Sequence, residues 1–178
     1  MQIDFDNRTV IDNFLPEEQF EQISSFIVNT RNSSSNLSFF PQDTVASYKE
    51  DTPLWSWYAT HMFYNEFRPF SSYYDNIGQT FWPLFTELNI LRAVIRVKAN
   101  MFPYTSEVKT HPWHKDFNFD NYGAVFSLNT CDGFTMFKDG MKVDSVANRI
   151  VFFNAQDEHC SSTTSNQYAR FNINFNFL

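Results

Sequence analysis

Glycine is scarce in this chain, with 4 among 178 residues. Loops that cradle phosphates need glycine where backbone approaches ligand, and no GxGxxG or GxxxxGK(S/T) run occurs. Cysteine is scarcer, with 2, Cys131 and Cys160. Two thiols make no disulfide framework, and their spacing fits no zinc motif. They are expected to be reduced, in a cytoplasmic protein. Basic residues number 13 against 20 acidic ones, a net charge of -7. That balance argues against gripping a nucleic-acid backbone. No apolar run approaches the ~20 residues that cross a bilayer. The first residues show no basic stretch followed by an apolar one, so neither a membrane span nor a signal peptide is expected.

Aromatic residues are abundant: 22 Phe, 8 Tyr and 4 Trp. They predict a ring-rich core. The length suits one domain, 1–178, and no repeat or linker divides it. Residues 2–14 alternate weakly and predict a strand or two. Pro16 followed by Glu17 and Glu18, then Phe20, Ile23, Phe26 and Ile27 at helical spacing, predicts a helix over 16–30. Residues 32–36 read as a polar loop and 39–57 as irregular. A second helix is predicted over 71–88, with Pro83 kinking or dividing it. The aromatic stretch 52–65, with Trp55, Trp57, Tyr58, Phe63 and Tyr64, reads as core rather than as an exposed patch.

From about residue 91 the texture changes. Runs at 93–102, 113–117, 124–128, 134–138, 141–146, 150–154, 160–163 and 170–177 are rich in β-forming residues, with turn signals such as Cys131-Asp132-Gly133 and Asp139-Gly140 between them. The expectation is a mostly β fold with flanking helices (α+β): a jelly roll over 91–178, braced on one sheet by helical and strand support from 1–90.

Chemistry concentrates in that second half. In a strand, residues i and i+2 share a face, so His114 and Asp116 are expected to point inward together, and the odd offset of His111 turns it away. His159, at a strand end, supplies a third donor. Two imidazoles and one carboxylate hold ferrous iron on one face and leave the other open. Arg170, eleven residues after His159, can grip a carboxylate in a bidentate fork. It begins the alternating run Arg170-Phe171-Asn172-Ile173-Asn174-Phe175-Asn176-Phe177. The polar face of that run lacks the charge usual on a solvent face, so Arg170 and Asn172 are assigned to the lumen, Asn174 and Asn176 less firmly. Trp113, His111 and His61 are given to packing or structure. Residues 117–122, rich in rings and turn formers, suit a closing loop or a plain surface turn.

These residues resemble the Fe(II)/2-oxoglutarate-dependent oxygenases, especially their prolyl-4-hydroxylase-like branch. The pattern is an HxD triplet (His114-Lys115-Asp116), a distant His159 and a following Arg170. Asp132-Gly133-Phe134-Thr135-Met136-Phe137 is similar to the family's Gly-Gly hairpin, with Asp132 replacing the first glycine. Asn129 closes a run like the strand after the HxD loop, residues 148–153 resemble the strand leading to the distal histidine, and 11–16 resemble the entry to the first helix. The resemblance implies a double-stranded β-helix (jelly roll, cupin-like), with His114, Asp116 and His159 on Fe(II). It implies Arg170 on 2-oxoglutarate, helped by Tyr104 and Asn172, and O2 as oxidant. The implied reaction hydroxylates a peptidyl proline, another amino-acid side chain or a small molecule, and releases succinate and CO2. Two other readings stay open: a jelly-roll binding or structural module without turnover, and a cupin-type metalloenzyme that does not use 2-oxoglutarate.

Overall fold

A computed structural model of the protein describes residues 2–28, 37–46 and 52–178. The polar loop expected at 32–36 lies outside them. The first half supplies β1 (Thr9–Ile11), α1 (Glu17–Val28), β2 (Phe40–Gln42), β3 (Tyr58–Asn65), β4 (Arg68–Pro69) and α2 (Tyr74–Glu87). The second half supplies β5 (Val94–Pro103), β6 (Tyr122–Ser127), β7 (Phe134–Phe137), β8 (Lys142–Asp144), β9 (Arg149–Asn154), β10 (His159–Ser161) and β11 (Ala169–Phe177). The large antiparallel sheet runs β1-β9-β6-β11-β5-β3-β2, with β4 on β3, and a smaller sheet runs β10-β7-β8. This is the expected mostly β architecture.

The helices brace the outer face of the large sheet. Ile77, Phe81 and Phe85 recur every four residues along α2 and are fully buried. Phe81 meets Phe175 and Phe126 at ring separations of 4.7 and 5.1 Å, and Phe85 meets Phe177 and Phe175 at 5.3 and 5.4 Å. Offset and edge contacts of this kind add to the burial of the rings themselves. Ile23 and Ile27 of α1 join the same core. Pro16 lies just before α1 rather than in its first turn, and its carbonyl accepts the Phe20 N–H at 3.0 Å. Pro83 does not divide α2. It sits on the exposed face, where the carbonyl it frees can be hydrated.

Two further expectations are corrected. Residues 113–117 form no strand, only an isolated bridge between His114 and His159. Conversely, an eight-residue strand, β3, lies inside the large sheet where the sequence of 52–65 predicts only aromatic core. Its side chains are buried on both faces over most of its length, so it carries no apolar–polar alternation to read.

The N-terminal segment is anchored by Asn148. This residue holds φ at 63°, a left-handed conformation that asparagine tolerates better than most residues. Its side chain accepts from Leu15 N at 2.9 Å and donates to Leu15 O at 2.8 Å, and both partners are buried. Between the two sheets, Val125, Val151 and Phe153 meet Phe137 and Val143 in a second, smaller core. It packs against His159, whose ring lies 5.0 Å from Phe153 and 6.0 Å from Phe137.

Candidate functional site

The polar interior is built on the pairing of β11 with β5. Phe171, Ile173, Phe175 and Phe177 face the helices, so Arg170, Asn172, Asn174 and Asn176 face inward, and all four are buried. Opposite them on β5, in register, stand Phe102, Asn100, Lys98 and Arg96. Asn129 fixes where this ladder starts: it accepts from Phe171 N at 2.8 Å and donates to Ala169 O at 3.0 Å. Asn100 donates across the ladder to Asn172 at 2.9 Å.

His114, Asp116 and His159 meet beside this ladder. Each offers one ligand atom, and these atoms lie within 4.8 Å of one another. The convergence does not come from strand parity, because His114 and Asp116 sit in a loop. Backbone bonds from His114 N to His159 O and from His159 N to His114 O, both 2.9 Å, draw the loop onto β10. His114 Nδ1 faces the Pro112 carbonyl at 3.3 Å, and His159 Nδ1 faces the Asp157 carbonyl at 2.9 Å. A carbonyl only accepts, so Nδ1 carries the proton in each ring and Nε2 keeps its lone pair for a metal. Burial first, and then the neighbouring His159, pull the His114 pKa down to about 4, against the opposing pull of Asp116.

Asp116 is held from three directions. Arg96 reaches Oδ1 at 2.8 Å, and Asn176 and Asn174 reach Oδ2 at 3.0 and 3.3 Å. Burial alone would raise its pKa. Arg96, His159, Lys98 and Asn176 overcome that and hold the carboxyl ionised, well below the usual carboxylate range. Phe117 covers Arg96, with the guanidinium carbon 4.7 Å from the ring centre.

Arg170 lies at the other end of the ladder with 1% of its surface exposed. It donates to Thr135 Oγ1 at 2.9 Å and to the Ser162 carbonyl at 3.4 Å. Among the described residues no carboxylate pairs with it. Burial pulls its pKa down to about 10, with Cys131 and Cys160 opposing. Gly133 makes room for it: a Cβ there would come within 2.7 Å of Arg170 Cδ and 2.8 Å of Thr163 O. Three buried polar atoms in this region have no partner, namely Arg170 Nε, Asn100 Oδ1 and His111 Nε2. A buried guanidinium without an anion is costly, and the arrangement calls for a charged ligand. The narrow cavity beside the triad is lined by Lys98, Asn100, Thr135, Ser161, Asn172 and Asn174, with Tyr58, Phe102 and Val45, and Thr135 joins it to Arg170.

The remaining candidates fall as follows. Asn172 lines the cavity. Tyr104 is 54% exposed and borders an outer groove with Ser165–Tyr168 instead. His111 is buried against Phe102 and Trp55, with Nδ1 3.0 Å from Ser161 Oγ, outside the triad. His61 is structural, bridging Ser38 O and Ser71 Oγ at 2.8 Å each. Trp113 is turned outward, with Lys138 5.2 Å over its ring. Within 117–122, Phe117 packs on Arg96 while Phe119 is exposed. Of 52–65, Phe63 and Tyr58 are buried and Leu54 is exposed. Cys131 and Cys160 are buried and unpaired by disulfide. Arg96, Lys98 and Asn100 were missed, although they alternate with Val97, Ala99 and Met101 just as the polar residues of β11 alternate with its apolar ones.

The two antiparallel sheets make a double-stranded β-helix, the fold of solved structures that include 2-oxoglutarate/Fe(II) oxygenases. Among solved structures, the chain is similar to a prolyl hydroxylase from Trichoplax adhaerens in complex with a hypoxia-inducible-factor peptide. There the TM-score is 0.65 at 13% identity, covering 96% of this chain and 83% of that one. It is also similar to a 2OG-Fe(II) oxygenase family oxidoreductase from Burkholderia pseudomallei, with TM-score 0.67, 9% identity, and 95% and 84% covered. A third likeness is to SnoN, a non-heme alpha-ketoglutarate-dependent epimerase of nogalamycin biosynthesis, with TM-score 0.63, 12% identity, and 97% and 78% covered. No protein-family model matches the sequence, and no curated protein matches it. Hydroxylases and an epimerase on one fold mean that the fold alone does not fix the reaction.

Proposed function

We propose that residues 1–178 form one Fe(II)- and 2-oxoglutarate-dependent dioxygenase domain, with 91–178 carrying the site and 1–90 supporting it. The observation that carries this reading is a His-Asp-His cluster in a cavity whose wall residue Thr135 is bonded to a buried arginine with which no carboxylate pairs among the described residues. The donor set suits ferrous iron, since two neutral imidazoles and one carboxylate occupy one side of a cation and leave the other to ligands. In this reading His114, Asp116 and His159 hold the metal, and Arg96, Asn174 and Asn176 orient Asp116.

Arg170 pairs with the distal carboxylate of 2-oxoglutarate. Thr135 fixes the guanidinium, and Asn172 and Asn100 line the path between it and the metal. The hydrogen-bonding part expected of Tyr104 is assigned to Asn100 and Thr135, which border the cavity. Bound iron supplies the oxygen chemistry. The chain's own work is to orient two ligands at fixed separation and to exclude water with the apolar plug of Val125, Phe137 and Phe153. The overall balance is substrate, 2-oxoglutarate and O2 giving hydroxylated substrate, succinate and CO2. A peptidyl proline or another amino-acid side chain is the substrate that the resemblance suggests.

Titration with Fe(II) and 2-oxoglutarate under nitrogen tests the reading. A weak visible charge-transfer band is expected when both are present, followed by succinate release on admitting oxygen with substrate. If no band develops, or if it survives unchanged in Asp116→Ala, the reading is wrong. A non-catalytic module would give neither the band nor succinate, and a cupin-type enzyme without the co-substrate would bind metal alone.

A further inference from the structure

Lys98 is unused by the function proposed above. It faces inward from β5, opposite Asn174, and lines the same cavity as the triad. Among the described residues, no carboxylate lies within ion-pair distance of its ammonium. Its nearest aromatic partner is Tyr58, with Nζ 5.4 Å from the ring centre. Burial, aided by Arg96 and opposed by Asp116, pulls its pKa down to about 8. A lysine serving only as scaffold would end in water or on a carboxylate.

The charges around the cavity sharpen the point. Lys98 and Asp116 line the cavity, Arg96 is bonded to Asp116, and Arg170 lies at the end of the same ladder, so among the described residues the region counts three cations against one carboxylate. A divalent metal and a doubly charged co-substrate cancel each other, so loading both leaves the positive excess in place. Arg96 is engaged by Asp116 and Arg170 lies at the far end. Arg170 pairs in register with Phe102, four residues along β5 from Lys98, about 13 Å at ~3.3 Å per residue. The two cations without a carboxylate therefore serve different ends of the ladder.

We propose that Lys98, backed by the ring of Tyr58, binds a carboxylate carried by the primary substrate. The protein then acts on a small carboxylic acid, or on a residue beside a free carboxylate, rather than on the neutral interior of a peptide. This rests on the dioxygenase reading for the placing of metal and co-substrate. Deletion of one charged hydrogen-bonding partner is expected to weaken such a ligand by ~10- to 100-fold.

The test uses matched probes: N-acetyl amino acids spanning the common side chains, each compared with its primary amide. Binding is measured by calorimetry under nitrogen on the protein loaded with Fe(II) and 2-oxoglutarate. At least one acid is expected to bind ~10-fold or more tighter than its amide. Lys98→Met should erase that preference, Lys98→Arg should retain it, and 2-oxoglutarate affinity should stay within about twofold in both. The proposal is overturned if no acid binds better than its amide, if Lys98→Met keeps the preference, or if Lys98→Met weakens 2-oxoglutarate tenfold. The last outcome would assign Lys98 to the co-substrate. A wild-type protein that takes up neither Fe(II) nor 2-oxoglutarate sinks the dioxygenase reading instead. The probe pairs are then compared on the metal-free protein, where the same preference and its loss decide the role of Lys98.

Discussion

A guanidinium enclosed by protein raises the energy of the folded chain unless an anion accompanies it. Arg170 has a threonine hydroxyl and a backbone carbonyl as hydrogen-bond partners and the Phe102 ring 5.4 Å from its guanidinium carbon, so in the proposed reading the ligand-free protein carries a buried charge that a bound dicarboxylate would relieve. Replacing it with methionine, of similar length and no charge, should leave the melting temperature of the ligand-free protein unchanged or higher. The same change should abolish the stabilisation that 2-oxoglutarate and metal confer on the wild type. Differential scanning calorimetry with and without ligand reads both effects. A large loss of stability in ligand-free Arg170→Met would mean that the arginine is structural.

At the scale of elements, the loop before β7 and the strand β11 are fitted to each other. Gly133 gives passage to Arg170 because it has no Cβ, and a methyl group there would press on the arginine stem and on the Thr163 carbonyl. Gly133→Ala should cost about 1–3 kcal/mol in a denaturant titration, the usual range for overpacking, and should weaken 2-oxoglutarate more than metal. Equal stability in the two proteins would show that the backbone yields easily.

The same elements show what could be read in advance. β11 was legible because one face meets the phenylalanine-rich core and the other a polar lumen, which writes period two into the sequence. The pairing of His114 with Asp116 was found for an inapplicable reason: a loop pinned to β10 brings them together, not strand parity. β3, buried on both faces, had no period to find. The lumen residues of β5 did alternate, but Arg96 and Lys98 look like a solvent face until the register with β11 is known.

For the molecule as a whole, acid is the simplest probe of its interior. His61 ties β3 to Ser38 and to Ser71, and burial lowers its pKa, with the bond to the Ser38 carbonyl opposing. In the unfolded chain an imidazole protonates near pH 6.5. The folded protein takes up that proton only at lower pH, so acid favours the unfolded chain. The contribution is complete above about pH 6.5 and is lost as pH falls through the lowered value. The melting temperature should therefore fall on acidification below that point, and less steeply in His61→Gln. Parallel pH profiles for the two proteins would remove His61 as a cause.

The position of β11 in the large sheet has a consequence for how the chain assembles. It lies between β6 and β5, segments synthesised well before it, and until it is made they have no common neighbour. The earlier strands must wait with their edges open, and the phenylalanines of α2 must wait for Phe175 and Phe177. Folding is thus a closing act rather than a progressive one, and a chain stalled short of residue 169 is a candidate for edge-to-edge aggregation.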